Sequence, residues 1–459
     1  MGDRGLARRI GVTAIAVIVA AVALIVGREL SIHRETSAPT TGVAAPSAIA
    51  SASPTRRVTL PQPIPQPITR TSAAAQIAWV QTNPQEQAAP VLVGVDPTGR
   101  IIGRIEVAHD PGRSYRSADG TLIAIVADDH VTTYSALDGS KTRTFRREPG
   151  GGHIDVTFSP DGRWLALIGV QAYVQVIDLR SGLMRTTPLG HDPNAATPGM
   201  SGTFTGPIWS TLVFAPDSTH LYTIVDWGGP LRITAFDVTP SGLVQTASAV
   251  NGQSGKSLPS CGGPGLAPRV LPDGKTLVVF CHMDGDVWLI DLPTLTTIVE
   301  KGSGQTNPFE PSPIFTPDGQ LLYLRGGTKI SAFDIARRTV LGPVLIPRKL
   351  EDPGPFGWLV GQAEAGYIAS TVPISPDGTK LYLSGGDGIT VSRLPDLKAI
   401  ATLGPGLSLG EVWISGDGKT VYATDGAHGL YVMPESGGGA ITVTLPGQNA
   451  GYFIASEHG

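Results

Sequence analysis

The sequence predicts an all-β protein, a β-propeller, on three observations. A Pro-Asp-Gly type turn between two short apolar runs recurs seven times after Gln76. Two further strand-like runs follow each copy, giving four short strands per repeat of 40 residues or more. No segment after the N-terminal apolar run shows a helical period, which removes the α/β enzyme folds.

In chain order, the first element is apolar. Ile10 to Val26 is seventeen residues without a charge, preceded by Arg4, Arg8 and Arg9 and closed by Gly27, Arg28 and Glu29. As a helix it reaches roughly 25 Å, the short end of what spans a bilayer. A cleaved signal peptide and an uncleaved anchor are both open. The run exceeds the usual signal-peptide length and no small-x-small site closes it, so the expectation is a transmembrane signal anchor over 10–27. Residues 1–9 then stay cytoplasmic, because the positive charges precede the span, and the rest of the chain is extracytoplasmic at the cell membrane. No cysteine follows the span to carry a lipid, and Gly11 stands where a twin-arginine signal prefers a bulky apolar residue.

A linker over 28–75 comes next. Its stretch 36–75 holds seven prolines and three charges, Arg56, Arg57 and Arg70. The alternating prolines of 61–67 favour extended polyproline II, and forty residues would reach on the order of 120 Å. It reads as a stalk or spacer ahead of a domain over 76–459.

The repeated turns are Ser117 to Gly120, Ser159 to Gly162, Ala215 to Ser218, Leu271 to Gly274, Thr316 to Gly319, Ser375 to Gly378 and Ser415 to Gly418. Their aspartates lie 42, 56, 56, 45, 59 and 40 residues apart, so insertions interrupt a basal period near 40. Proline fixes φ, aspartate bonds its own backbone and glycine supplies the positive φ that reverses the chain. Third strands often end in aspartate, as in Val176-Ile177-Asp178 and Leu289-Ile290-Asp291. Pro-Asp-Gly, then Leu-Tyr, then Val-Ile-Asp resembles the YVTN-type bacterial β-propeller repeat, a relative in architecture of the WD repeats. The clearest copies are Ser375 to Gly386 and Ser159 to Leu179. The Gly-His to Trp-Asp pairing of true WD repeats and the sialidase Asp box are both missing from the sequence.

Three strands precede the first turn, Ile77 to Gln81, Val91 to Val95 and Arg100 to Val107, and they lack a partner. A lone apolar strand, Gly451 to Ser456, ends the chain. Pairing the two ends in one sheet removes both free edges and closes the ring. That predicts seven complete blades and one shared blade, eight in all, with a seven-bladed ring as the alternative.

Composition limits function. Charged residues are 16% of the chain, the net charge is −4 and the pI is near 6.1, so the basic footprint of a nucleic-acid binder is missing. At 41% hydrophobic the chain is too apolar to stay disordered, and two cysteines exclude a disulfide-dense scaffold or a cysteine-ligated iron–sulfur cluster. Gly255-Lys256-Ser257 lacks the first glycine of a phosphate loop, and Asp284-Gly285-Asp286 lacks the ligand series of a calcium loop. No catalytic residue, metal or cofactor is expected.

The loops between second and third strands, and those between blades, share one face. The candidate ligand-binding residues there are Asp128, Asp129, His130, Asp226, His282, Asp284, Asp286, Asp387, Asp425 and His428. Carboxylates and imidazoles round a channel can bind a cation or activate water; aspartate is equally the residue that turns such hairpins. Insertions at 190–207, 251–265, 302–312 and 347–366 fall on the same face and carry Phe204, Phe309, Phe356 and Trp358, aromatics suited to recognition. Cys261 and Cys281 flank one hairpin, which brings them to one rim, and an exported domain favours their disulfide.

Together these features predict a membrane-anchored binding module for a protein, peptide or glycan, with a monomeric ectodomain. The alternative is a hydrolase, because the repeat resembles that of the seven-bladed bacterial lactonases.

Overall fold

The computed structural model describes residues 72–83, 90–107, 113–127, 129–147, 153–169, 173–189, 209–226, 231–250, 266–281, 286–302, 314–326, 329–345, 373–425, 429–445 and 449–454. They lie within Leu60–Gly459, one compact unit apart from residues 1–59. The apolar run 10–27 and residues 28–71 are outside the described residues. Among the described residues, no helix is long and apolar enough to cross a membrane.

Eight antiparallel sheets form the described unit, an eight-bladed β-propeller. Blade 1 joins the chain ends: Asn449–Phe453 pairs with Ala78–Asn83, followed by Val91–Val95 and Ile101–Glu106. Blade 2 is Arg113–Arg116, Leu122–Val126, His130–Ser135 and Lys141–Arg146; blade 3 is His153–Phe158, Trp164–Gly169, Tyr173–Asp178 and Met184–Pro188. Blade 4 is Trp209–Phe214, His220–Asp226, Arg232–Thr239 and Gly242–Val250; blade 5 is Leu266–Val270, Thr276–Cys281, Asp286–Asp291 and Thr296–Gly302. Blade 6 is Ile314–Phe315, Leu321–Gly326, Lys329–Asp334 and Thr339–Leu345. Blade 7 has Lys380–Gly385, Gly388–Arg393 and Lys398–Leu403, with Ile374 bridging to Leu381 in place of a first strand. Blade 8 is Val412–Ile414, Thr420–Thr424, Gly429–Pro434 and Ile441–Thr444.

Five of the seven repeated turns close the first two strands of their blade by one bonding scheme that needs a hydroxyl at the first position; the turns opening at Ala215 and Leu271 lack it. In blade 3, Gly162 has φ +67° and its N–H donates to the Ser159 carbonyl at 2.9 Å. The Ser159 hydroxyl donates to Asp161 Oδ1 at 2.6 Å and accepts the Trp164 N–H at 2.8 Å, while Asp161 Oδ1 accepts the Arg163 N–H at 3.0 Å. Ser117, Thr316, Ser375 and Ser415 make the same hydroxyl-to-aspartate bond. The hydroxyl residue that opens the motif is therefore as much a part of the turn as Asp and Gly. The turns also touch one another. A Cβ on Gly319, Gly378 or Gly418 would meet the proline of the preceding blade's turn at 2.5, 3.3 and 3.2 Å, so glycine answers both to the positive φ and to the close approach.

The described residues form eight hydrophobic clusters rather than one core, and each fills the layer between two neighbouring blades. Second strands are covered on both faces, and Trp164–Gly169 is buried at every residue. Alternate side chains serve opposite layers. Leu165 and Leu167 pack toward blade 2, whereas Trp164, Ala166 and Ile168 pack toward blade 4. A continuous apolar run here marks a strand covered on both sides.

Blade 1 closes the ring slightly differently from the sequence expectation. The last strand is Asn449–Phe453, starting two residues before Gly451, with Val80 opposite Phe453 and a register shift before Thr82. The ring also takes up Ser72–Gln76, of which residues 72–75 were expected to belong to the Pro-rich tract. Ala73–Gln76 forms a 3-10 turn with Ala74 and Ala75 buried, and it bridges two blades. The Gly416 N–H donates to the Ala75 carbonyl at 2.9 Å and the Asp417 N–H to Gln76 Oε1 at 3.1 Å, on the blade 8 side. On the blade 2 side, Arg116 Nη2 donates to the Ala74 carbonyl at 2.7 Å. This segment occupies the place that a repeated turn holds in other blades.

Among the described residues Trp79 is the largest fully buried side chain, and its indole N–H donates to the Ala136 carbonyl at 2.9 Å across the blade 1–blade 2 layer. Gly94, Gly103 and Gly139 make its slot: a Cβ on each would lie 2.7 to 3.1 Å from the ring. Trp79→Ala is expected to lower unfolding free energy by about 3–5 kcal/mol in denaturant titration. Second-strand tyrosines give a finer comparison. The Tyr422 hydroxyl donates to the Gln76 carbonyl at 2.8 Å, whereas the Tyr323 hydroxyl is fully buried without a hydrogen-bond partner. Tyr422→Phe should lower stability by about 1 kcal/mol, and Tyr323→Phe should leave it unchanged or raise it, because only the first loses a bond.

Candidate functional site

Antiparallel alternation fixes the two ends of the ring. First-to-second and third-to-fourth strand turns lie at one end, and the opposite end carries the hairpins between second and third strands together with every blade-to-blade connection. Asp129, His130, Asp226, Asp286, Asp387 and Asp425 all stand at second-to-third strand hairpins on that opposite end. Asp128, His282, Asp284, His428, Trp358 and Cys261 lie outside the described residues, as do nearly all of the four insertions.

The side chains of Asp129, His130, Asp387 and Asp425 are engaged within this end of the ring. His130 Nδ1 lies 2.5 Å from Asp129 Oδ1 on the exposed rim, and this bond holds the Asp129 carboxyl below the usual carboxylate range. Asp387 Oδ1 accepts the Gly406 N–H at 2.9 Å, tying its hairpin to the connection into blade 8. Asp425 Oδ1 accepts the Gly429 N–H at 2.9 Å, and its Oδ2 accepts the Tyr431 hydroxyl at 3.4 Å. Desolvation, reinforced by the Asp425 charge, pushes the Tyr431 phenol up. A Cβ on Gly429 would fall 2.4 Å from Asp425 Oδ2, so the close carboxylate itself requires glycine there. Asp387 and Asp425 thus serve their turns. Among the described residues, no three His, Cys, Asp or Glu side chains gather where they could hold a metal. Cys281, 1% exposed at the end of its strand, is disulfide-bonded.

Two polar clusters at this end were not legible in the sequence. Arg147, only 2% exposed, leaves blade 2 and enters blade 3: its Nη1 donates to the Ala127 carbonyl at 2.6 Å, Nη2 to the Tyr173 hydroxyl at 3.2 Å and Nε to Gln175 Oε1 at 3.3 Å. Asp155 Oδ2, in the first strand of blade 3, accepts the Thr211 hydroxyl at 2.6 Å and the Leu212 N–H at 3.2 Å from the first strand of blade 4. Both sets of partners lie 20 to 57 residues apart in sequence. No local motif announces contacts between strands and blades this far apart in sequence.

No protein-family model matches the chain, and no curated protein matches it. Solved structures do resemble it. One, described as dihydro-heme d1 dehydrogenase NirN in complex with DHE, has a TM-score of 0.56 at 14% identity, over 87% of this chain and 79% of that one. Its identity is too low to carry more than the fold. Hydrazine synthase of Kuenenia stuttgartiensis aligns at a TM-score of 0.43 and 16% identity, over 74% of this chain and 97% of that one. The β-propeller fold is shared with the first of these; the YVTN repeat type gains no support from a family match.

If Asp425 is a structural lock, Asp425→Ala should cost about 1–2 kcal/mol in thermal or chemical unfolding. Unchanged stability would release this carboxylate for another role.

Proposed function

We propose that the chain is a membrane-anchored, extracytoplasmic propeller that binds a protein, peptide or glycan at the end of the ring carrying the insertions. The asymmetry between the two ends carries this reading. The repeated turns interlock at one end and the chain enters the ring there through Ser72–Gln76, in contact with the blade 2 and blade 8 turns. All the long connections fall to the other end, where their lengths vary without disturbing the eight apolar layers. A rigid scaffold with variable connections at one end is the usual way a fold presents a recognition surface.

Two further proposals belong to the same reading. The uncharged run 10–27 holds the chain in the membrane, and Cys281 pairs with Cys261, the only other cysteine of the sequence, as an exported domain allows. The lactonase-like alternative draws on seven-bladed relatives, whereas this ring has eight blades, and the described carboxylates Asp387 and Asp425 are taken up by turns.

The test replaces 347–366 of the full-length protein with a Gly/Ser link and compares cross-linked partners in native membranes with those of the unaltered chain. Captured partners should be lost with little change in melting, since altering a surface loop shifts closure entropy by less than about 1 kcal/mol. A large melting loss would make the insertion structural, and unchanged capture would move recognition to the Asp129–His130 rim. Separately, protease added outside intact cells should cleave the domain; full protection would overturn the extracytoplasmic placement.

A further inference from the structure

We infer that the outer edge of blade 4, Gly242–Val250, pairs with the same strand of a second copy of this chain to give a twofold dimer. The strand stands last in its sheet, so among the described residues one of its edges has no strand beyond it. It is the longest strand among the described residues, nine residues without a charge or a proline. At about 3.4 Å per residue it offers an edge of roughly 30 Å. Val244 is 52% exposed there, and Gln245, Thr246 and Ser248 are exposed as well.

The other seven outer strands are each protected in a way natural sheets use against edge-to-edge pairing. Arg104, Arg143, Arg185, Lys301 and Lys398 put a charge in five of them, Pro343 interrupts a sixth, and the seventh, Ile441–Thr444, is only four residues long. Blade 4 has no such charge, proline or shortness; its outer strand carries a β-bulge at Thr246, a register shift it shares with the outer strands of five other blades. Its third-to-fourth strand turn also differs, since Thr239 pairs directly with Gly242 across Pro240 and Ser241 and so continues the ladder to the tip.

The chemistry of the edge selects the partner. An antiparallel copy of an uncharged strand places no like charges opposite one another in any register, and a twofold axis satisfies both copies with one surface. The chain's other outer strands would bring a charge, a proline or only four residues to the pairing. Its Pro-rich tract lacks the run of N–H groups that a ladder along this edge needs. The expectation of a monomer gives way, on this inference, to a dimer joined side by side through blade 4.

The experiment uses the full-length protein in detergent solution. Its protein mass by light scattering at micromolar concentration should be twice the 47.7 kDa of one chain. Thr246→Lys should halve that mass, and Ile400→Lys, on the edge of blade 7 that already carries Lys398, should not. Pairing of the whole edge places its middle residue, Thr246, at the twofold axis, so Thr246→Cys should form an intermolecular disulfide on oxidation, which keeps the test open should the lysine variant misfold. A monomeric unaltered protein would overturn the inference. So would a dimer that survives Thr246→Lys in folded form, or a Thr246→Cys variant that never cross-links; the first of these would locate association elsewhere in the chain.

Discussion

Every blade depends on its neighbours, because a four-stranded sheet with apolar side chains on both faces is stable only when both faces are covered. The eight clusters follow from that requirement, one in each layer between blades. A linear row of such sheets would leave two apolar faces in water, so the row must close. Closure falls to blade 1, where the strand Asn449–Phe453 completes a sheet begun more than 360 residues earlier. Glu411 accepts the Phe453 N–H at 2.9 Å, and the Ile454 N–H donates to the Trp79 carbonyl at 2.9 Å, so the last strand is fixed from two sides.

Constraint is distributed unevenly round this ring. At the turn end, hydroxyl, aspartate and glycine form the same bonds repeatedly, and glycine of one turn rests on proline of the previous one. Blade 1 has no such turn, and Ser72–Gln76 takes its place with hydrogen bonds to both neighbours. A substitution at this end therefore disturbs a contact between blades as well as a local turn. At the opposite end the connections vary in length because neither the sheets nor the apolar layers are built from them, and that freedom makes recognition possible there.

The outward rim adds a separate constraint. Eight sheets around a ring leave eight outer strands at the surface, and a propeller has to keep them from pairing with other chains. Charge, proline and shortness do this for seven. The departure at blade 4 is visible only by comparing the strands as equivalent positions, a comparison that the eightfold architecture supplies.

The sequence by itself determined the repeat, the strand pattern and the sharing of blade 1 by both chain ends, since turn chemistry and alternation of apolar residues are local properties that spacing preserves. It marked the end of the ring on which Asp129, Asp387 and Asp425 stand, because antiparallel alternation follows from strand order. What those side chains do was decided by tertiary structure. Asp387 reaches a glycine N–H nineteen residues away and Asp425 a glycine N–H and a tyrosine hydroxyl, so both are occupied by backbone and phenol groups that strand order alone does not place. Ser72–Gln76 looked like the end of a spacer, and only the gap between the blade 8 and blade 2 turns shows what it packs against. Arg147 and Asp155 carried no signal at all, because their partners come from other strands and neighbouring blades; hydrogen bonds of that kind depend on distance in space, which a one-dimensional pattern does not encode.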